Sequence, residues 1–214
     1  MQKKNLDSIK PYNRSWTLQV EKIFTIIAGP NGSGKTTYFT KNEDLNSLPF
    51  VNADIIAKEK FKTIGQTESI QAQQLAQKNI KELFAANTSF CFETVFSHTS
   101  KLDLILEAQS LGYKVMLIIV FTGNSAINVD RVRKRVAEGG HDVPIDKILS
   151  RIPKTMKNLK QAISVADGYV VIDTERKARE IVRKNFSGQA VVATQDKFVP
   201  AWVTTLTDIQ SKIR

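Results

Sequence analysis

The stretch Lys22-Ile23-Phe24-Thr25-Ile26-Ile27-Ala28-Gly29-Pro30-Asn31-Gly32-Ser33-Gly34-Lys35-Thr36-Thr37 decides how the rest of the 214-residue chain is read. Residues 22–28 are mostly β-branched or aromatic, the pattern of a strand buried on both faces. Residues 29–36 then fit the spacing G-x-x-x-x-G-K-[ST]. Such a turn folds its backbone N–H groups into a concave nest for phosphate oxygens, and the helix that follows adds its own unpaired N–H groups and dipole. Lys35 has the reach for β- and γ-phosphates, and Thr36 offers a hydroxyl to Mg²⁺. Gly29, Pro30, Asn31, Gly32, Ser33, Gly34, Lys35, Thr36 and Thr37 therefore read as the cradle of a nucleotide, with ATP and Mg²⁺ as cofactors. A plain glycine turn after a strand would not need the full spacing.

Short apolar runs alternate with amphipathic segments outward from this loop. The helix after it ends near Asn42. Residues 49–53, 89–94, 114–121 and 168–173 read as further strands. Residues 66–86 carry the strongest helical period, with Ala72, Leu75, Ala76, Ile80, Leu83 and Phe84 on one face and glutamines on the other. Residues 100–111 read as a helix with Leu102, Ile105 and Leu106 inward, opened by a Ser100/Asp103 capping box and stopped at Gly112. Residues 126–138 place Val129, Val132 and Val136 on one stripe and end at Gly139-Gly140. A helix from Pro144 is expected to break or restart at Pro153 and to run to about Ala166. Strands separated by helices imply βαβ units and a parallel sheet. The expected fold is α/β and three-layered, with a mostly parallel five-stranded sheet and a helical lid. The core spans 22–174, the lid 126–152, with an extension at 1–21 and another at 175–214 packed on the core. Residues 178–184 and 189–194 form a candidate strand pair.

In an open α/β sheet, ligands sit outside the carboxyl ends of the strands. That rule selects Asp54 after the second strand, and Glu93, Thr94, Ser97 and His98 after the third. Asp54 can accept the proton of an attacking hydroxyl in phosphoryl transfer, or cap the helix it precedes, or both. Three readings are open for Glu93: contact with a Mg²⁺-bound water, contact with a substrate hydroxyl, or a buried structural carboxylate. His98 suits a turn as well as a substrate contact. Arg131 and Arg135 are spaced i, i+4 and share a helix face, and Arg151 follows one helix later. Guanidinium groups around a transferring phosphoryl stabilise its transition state, and a helix pair hinged at Gly139-Gly140 can close over it. The competing reading is a solvated basic face.

Composition narrows the choices. The formal charge is +10, and residues 122–184, with 14 basic against 8 acidic residues, hold the largest part of it. The surplus thus sits where the arginines fall rather than in a tail, so nucleic acid is not the expected partner. A basic nucleic-acid-binding ATPase or polynucleotide kinase stands as the alternative, and a nucleotide-binding module without turnover as a third. The single cysteine excludes an internal disulfide framework and suggests a cytoplasmic setting. The longest apolar run, 115–121, is far short of a membrane span. Residues 1–22 show lysines without an apolar stretch, so no signal peptide is expected. No N-K-x-D base-reading motif is present. Ser187-Gly188-Gln189 is only a fragment of an ABC signature, and the strand ending at Phe121 leads to Thr122 rather than to a Walker-B aspartate.

An ordered set of motifs carries a family resemblance over roughly residues 22–174. It comprises residues 28–37 (AGPNGSGKTT), 51–54 (VNAD), 92–97 (FETVFS), 131–136 (RVRKRV), 139–144 (GGHDVP) and Ser150-Arg151. This set resembles the zeta toxin family of P-loop kinases, especially the branch labelled predicted ABC-type ATPases. The resemblance implies a kinase of the UDP-N-acetylglucosamine type, which phosphorylates the sugar's 3′-hydroxyl and is neutralised by an antitoxin protein. By the same resemblance Asp54 is the base and Lys35 the Walker lysine. Arg135 and Arg151 clamp phosphate, and Glu93 and Thr94 stand on the substrate side. Two departures are Ile152, where relatives commonly have an aromatic residue, and the insertion at 139–144.

Overall fold

The two faces of one strand explain the layering. In Lys114–Phe121 (β4), Val115, Leu117 and Ile119 point to one side, and Ile118 and Val120 to the other, and all are buried. A strand with no polar face has to be covered twice, so helices lie on both sides of the sheet. The computed structural model describes residues 21–63, 65–140, 142–186, 188–193 and 198–209. Residues 1–20 of the expected N-terminal extension, with His141, Ser187 and Thr194 of the motifs above, lie outside that set.

The remaining strands are Ile23–Ala28 (β1), Phe50–Asn52 (β2), Phe90–Thr94 (β3), Gly168–Asp173 (β5), Arg179–Lys184 (β6) and Val191–Val192 (β7). Their order is β2-β3-β1-β4-β5-β6-β7. The first five in that order run parallel, and β6 and β7 are antiparallel additions. The sheet therefore has seven strands rather than the five expected for the core, because the pair at 178–184 and 189–194 extends the same sheet. The few residues between β5 and β6 suffice for an antiparallel hairpin but not for a crossover.

One core layer packs Phe24, Ile26, Phe90, Phe92, Val115, Leu117 and Ile119 against four helices. These are Gln66–Ala85 (α4), Ser100–Ser110 (α5), Ile145–Val165 (α7) and Ala201–Thr207 (α8). The Phe84 ring meets those of Phe24 and Phe90 edge to face at 5.3 Å, and Phe24 and Phe90 lie tilted at 4.7 Å. The other layer sets Ile27, Cys91, Ile118, Val120, Val170 and Ile172 against Phe39 of Lys35–Lys41 (α1). Burial pushes the Cys91 thiol up to about 12, against a side-chain hydrogen bond with Thr25. A third, small cluster of Val132, Val143 and Ile148 joins Ser125–Ala137 (α6) to the start of α7, and Val129 and Val136 pack on it as the valine stripe predicts. Two further helices, Glu43–Asn46 (α2) and Ala53–Lys60 (α3), flank β2 in sequence. Among the described residues no helix is long and apolar enough to cross a membrane.

Three local expectations are corrected. Helix α7 continues through Pro153. The carbonyl that proline leaves without an N–H partner belongs to Leu149, which is exposed, so water can take it. Thr99, not Ser100, holds the N-cap of α5 and makes no side-chain cap bond, so there is no Ser100/Asp103 box. Leu106 is 53% exposed, while Ile105 and Ala108 are buried and Leu102, as expected, packs on the core with Leu104.

Phe24 is fully buried among three other aromatic rings at the centre of the sheet. Phe24→Ala is expected to cost about 3–5 kcal/mol, read as a lowered denaturant midpoint at unchanged m-value.

Candidate functional site

The phosphate-loop motif leaves β1, whose neighbours β3 and β4 carry their chains to opposite flanks, so the loop opens at the point where the strand order reverses. Its shape is set from below by side chains that the motif does not contain. Asn128, fully buried on α6, donates from Nδ2 to the carbonyl of Asn31 at 2.7 Å and accepts from the Thr122 hydroxyl. Thr174, just past β5, donates from Oγ1 to the carbonyl of Ser33 at 2.7 Å. In a trans peptide the C=O and the following N–H point in opposite directions. Pulling the Asn31 and Ser33 carbonyls down therefore turns the N–H groups of Gly32 and Gly34 away from these anchors. Gly32 has φ +73°, and a Cβ there would lie 2.2 Å from the Asn128 carbonyl oxygen, so only glycine fits. Gly34, in the left-handed region, is the N-cap of α1.

Lys35 opens α1 and is buried. Its Nζ donates to the Pro30 carbonyl at 3.0 Å and stands 3.9 Å from Glu93 Oε1. The Thr36 hydroxyl donates to Glu93 Oε2 at 2.7 Å. Burial lowers the Lys35 pKa; Glu93 and Asp54 oppose that shift, and Arg135 adds to it. Burial raises the Glu93 pKa, Lys35 and the Thr36 hydrogen bond oppose it, and Asp54 reinforces it. The buried lysine and carboxylate thus meet the exposed Thr36 hydroxyl at the ends of β1 and β3.

Asp54 sits in the first turn of α3, where its charge suits the helix dipole. It is not the cap. Asn52 Oδ1 accepts the N–H groups of Asp54 and Ile55 at 2.8 and 3.3 Å. Asp54 lines the same cleft as Lys35, Thr36, Thr37 and Glu93. Thr94 shapes the turn beyond β3. Its carbonyl accepts from Gly29 N, and its hydroxyl accepts from Phe96 N at 3.2 Å. Thr155 and Asn158 of α7 bond the Val95 and Phe96 carbonyls, holding the strand-end loop where Ser97 and His98 line the cleft. Arg131 donates to the Thr174 carbonyl at 2.6 Å, joining α6 to the loop after β5.

Arg131, Arg135 and Arg151 also line this cleft, of about 530 Å³. Of the residues selected from sequence, Asn31, Gly32, Gly34, Lys35, Thr36, Thr37, Asp54, Glu93, Thr94, Ser97, His98 and the three arginines meet around it. Gly29, Pro30 and Ser33 lie behind it in the loop. Sequence reasoning missed Asn52, Asn128, Thr174 and Lys101, as well as the α4 side chains Ser69, Gln73 and Gln77 at the cleft wall. An asparagine at the end of a strand before a helix was a visible cap signal for Asn52. Asn128 and Thr174 carry no local signal.

The geometry invites comparison with known proteins. The AvrRxo1-ORF1:AvrRxo1-ORF2 complex solved with sulphate ions contains a chain that superposes with TM-score 0.63 at 17% identity, over 81% of this chain and 61% of that one. The same complex solved with ATP gives TM-score 0.64 at 17% identity, over 81% and 60%. The PezAT chromosomal toxin–antitoxin system of Streptococcus pneumoniae gives 0.58 at 13% identity, over 74% and 70%. The α/β fold that carries the phosphate loop is thus shared with chains of the AvrRxo1 and PezAT structures. The chain spans about three fifths of the AvrRxo1 chain it matches. An uncharacterized protein of Haemophilus influenzae is 27% identical over 136 residues, which are 64% of this chain and 95% of that protein. No family model matches the chain.

Burial disfavours the charge on both Lys35 and Glu93, so the pair is held at a cost in stability. The double variant Lys35→Met/Glu93→Gln is expected to be more stable than the native chain at neutral pH by about 0.5–2 kcal/mol. A carboxyl with a raised folded pKa destabilises above that pKa, and the effect is lost as pH falls below the unfolded value. The Glu93 part of the gain should therefore vanish as pH drops below about 4.5, while the Lys35 part stays. Denaturant titrations of both proteins across this pH range measure it.

Proposed function

We propose that this protein is a kinase that transfers the γ-phosphate of ATP to a hydroxyl of a small molecule, a UDP-N-acetyl sugar by the family resemblance. One observation carries the reading: a phosphate loop, a buried lysine, a strand-end aspartate and three lid-side arginines face a single cleft. The fold likeness to a complex solved with ATP supports it.

In this reading Lys35 leaves the Pro30 carbonyl for the β- and γ-phosphate oxygens, which meet the loop's N–H groups at the same time. Asp54 takes the proton of the acceptor hydroxyl as it attacks, acting as general base. Arg135 and Arg151 lie against the equatorial oxygens of the phosphoryl group and stabilise the charge there. Arg131, tied to the loop after β5, sets α6 in place beside the nucleotide. The small valine cluster joins α6 to the start of α7, so that the arginines of the two helices face one cleft.

The donor set fits Mg²⁺. The Thr36 hydroxyl and the Glu93 carboxylate are adjacent oxygens, and among the described residues no cluster of three His, Cys, Asp or Glu offers a protein-only metal cage. Thr36 would bind the ion, and Glu93 would orient that hydroxyl and a bound water. When bound, Mg²⁺ neutralises charge on the transferring phosphoryl group. The toxin role and an antitoxin partner follow from the resemblance and from the toxin–antitoxin setting of the PezAT relative in fold.

Transfer of ³²P from ATP to UDP-N-acetylglucosamine is the direct test. Asp54→Ala should lower kcat about 10²-fold or more with the affinity for ATP kept. Full activity in that variant would overturn the base assignment. ATP binding without transfer to any nucleotide sugar would overturn the acceptor. Transfer to a 5′-hydroxyl oligonucleotide instead would establish a polynucleotide kinase.

A further inference from the structure

Two polar side chains lie on the inner face of α7, where apolar ones would pack as well. Thr155 and Asn158 are buried there beside Ile148, Leu159 and Ala162. A buried hydroxyl or carboxamide costs free energy unless it is hydrogen-bonded. Thr155 Oγ1 donates to the Val95 carbonyl at 3.0 Å, and Asn158 Nδ2 donates to the Phe96 carbonyl at 3.1 Å. Both carbonyls belong to the loop between β3 and α5, outside any strand or helix ladder. Phosphoryl transfer as described gives Thr155 and Asn158 no part.

The loop they hold is strained. Phe96 has φ +62°, in the left-handed region, where a bulky L-residue is an outlier. Its ring is buried in the core layer of Phe24 and Leu117. The turn is over-determined by that ring, by the two bonds from α7, and by the Phe96 N–H, which donates to Thr94 Oγ1 at 3.2 Å. With the Phe96 carbonyl drawn toward Asn158, the N–H of Ser97 across the same peptide bond points away from α7. Val95, Phe96, Ser97 and His98 all line the cleft. Arg151 lines it too, and it precedes Thr155 by four residues and Asn158 by seven, a spacing that keeps the three on one helix face. The helix rises only about 10 Å over that stretch. One helix therefore reaches the cleft through an arginine and grips the loop at the end of β3 through two hydrogen bonds.

We propose that Thr155 and Asn158 are positioning residues for the transfer step. They hold the turn at Phe96 that sets Ser97 and His98 against the phosphate acceptor. They also fix that loop in register with Arg151, which lies against the transferring phosphoryl group. The inference rests on the kinase reading of the cleft, and it concerns how the acceptor hydroxyl is placed rather than which acceptor enters. A displacement of about 1 Å at that hydroxyl is enough to lower transfer about 10²-fold. The phosphate loop has its own anchors in Asn128 and Thr174 and should bind ATP regardless.

The test separates hydrogen bonding from packing. Thr155→Val keeps the shape and removes the donor, Thr155→Ser keeps the donor and loses a methyl group, and Asn158→Leu removes the other donor. Transfer of ³²P from ATP to UDP-N-acetylglucosamine is measured for each full-length variant, with AMP-PNP affinity by calorimetry and the ¹H–¹⁵N signals of Gly32, Gly34, Ser97 and His98. Thr155→Val and Asn158→Leu should each lower kcat/KM for the acceptor about tenfold or more, with AMP-PNP affinity unchanged, and Thr155→Ser should keep most of the activity. The Ser97 and His98 signals should move in the Val and Leu variants, and those of Gly32 and Gly34 should stay. A packing role for Thr155 gives the reverse order, Val active and Ser impaired, and that order overturns the proposal. So does a loss of AMP-PNP affinity that matches the loss of transfer. A native chain that transfers nothing strikes the kinase reading instead; the amide signals then decide, and Ser97 and His98 signals unmoved in the variants overturn the proposal.

Discussion

Two hydrogen bonds from buried side chains hold the site in shape. Asn128 and Thr174 each take one carbonyl of the phosphate loop, and the neighbouring N–H groups are left for a ligand. A glycine-rich loop on its own samples many conformations, so its nest costs entropy to form. Here the two anchors supply part of that ordering, because one belongs to α6 and the other to the end of a central strand. Asn128 also accounts for Thr122, which stands where a motor ATPase has its Walker-B aspartate. Its hydroxyl is spent on Asn128, and the acidic partner of Thr36 comes from the neighbouring strand as Glu93.

The charges around this frame are sorted by strand. Strand β1 brings the lysine, β2 leads to the aspartate and β3 brings the glutamate, while the helices after β4 bring the arginines. This is the order in which an open parallel sheet presents its carboxyl ends, so neighbours in space are far apart in sequence. The cost of crowding Lys35 and Glu93 in a dry place is met by the two core layers on either side of the sheet, which need neither group.

Much of the architecture was legible because its signals are local. The apolar runs at β1, β4 and β5 and the 3.6-residue period of α4 mark buried strands and an amphipathic helix without knowledge of the whole. Most cleft residues followed from one rule about strand ends. What stayed hidden depends on distant partners. Pro153 reads as a breaker until Leu149 is seen to face water, and Leu106 reads as inward until α5 is set on the sheet. Asn128 and Thr174 look like ordinary helix and loop residues, because their partners are 97 and 141 positions away.

The single cysteine, Cys91, belongs to β3 and is fully buried, with its pKa pushed up to about 12. As a thiol it is shielded from oxidants and alkylating reagents while the fold is intact. The surface of the described residues is thereby left free of competing sulphydryl chemistry. A cysteine placed at an exposed position such as Glu138, the C-cap of α6, would be the one reactive thiol on the folded molecule, and a spin label or dye there would report any change in the distance from that helix end to the phosphate loop without removing a native residue from the core.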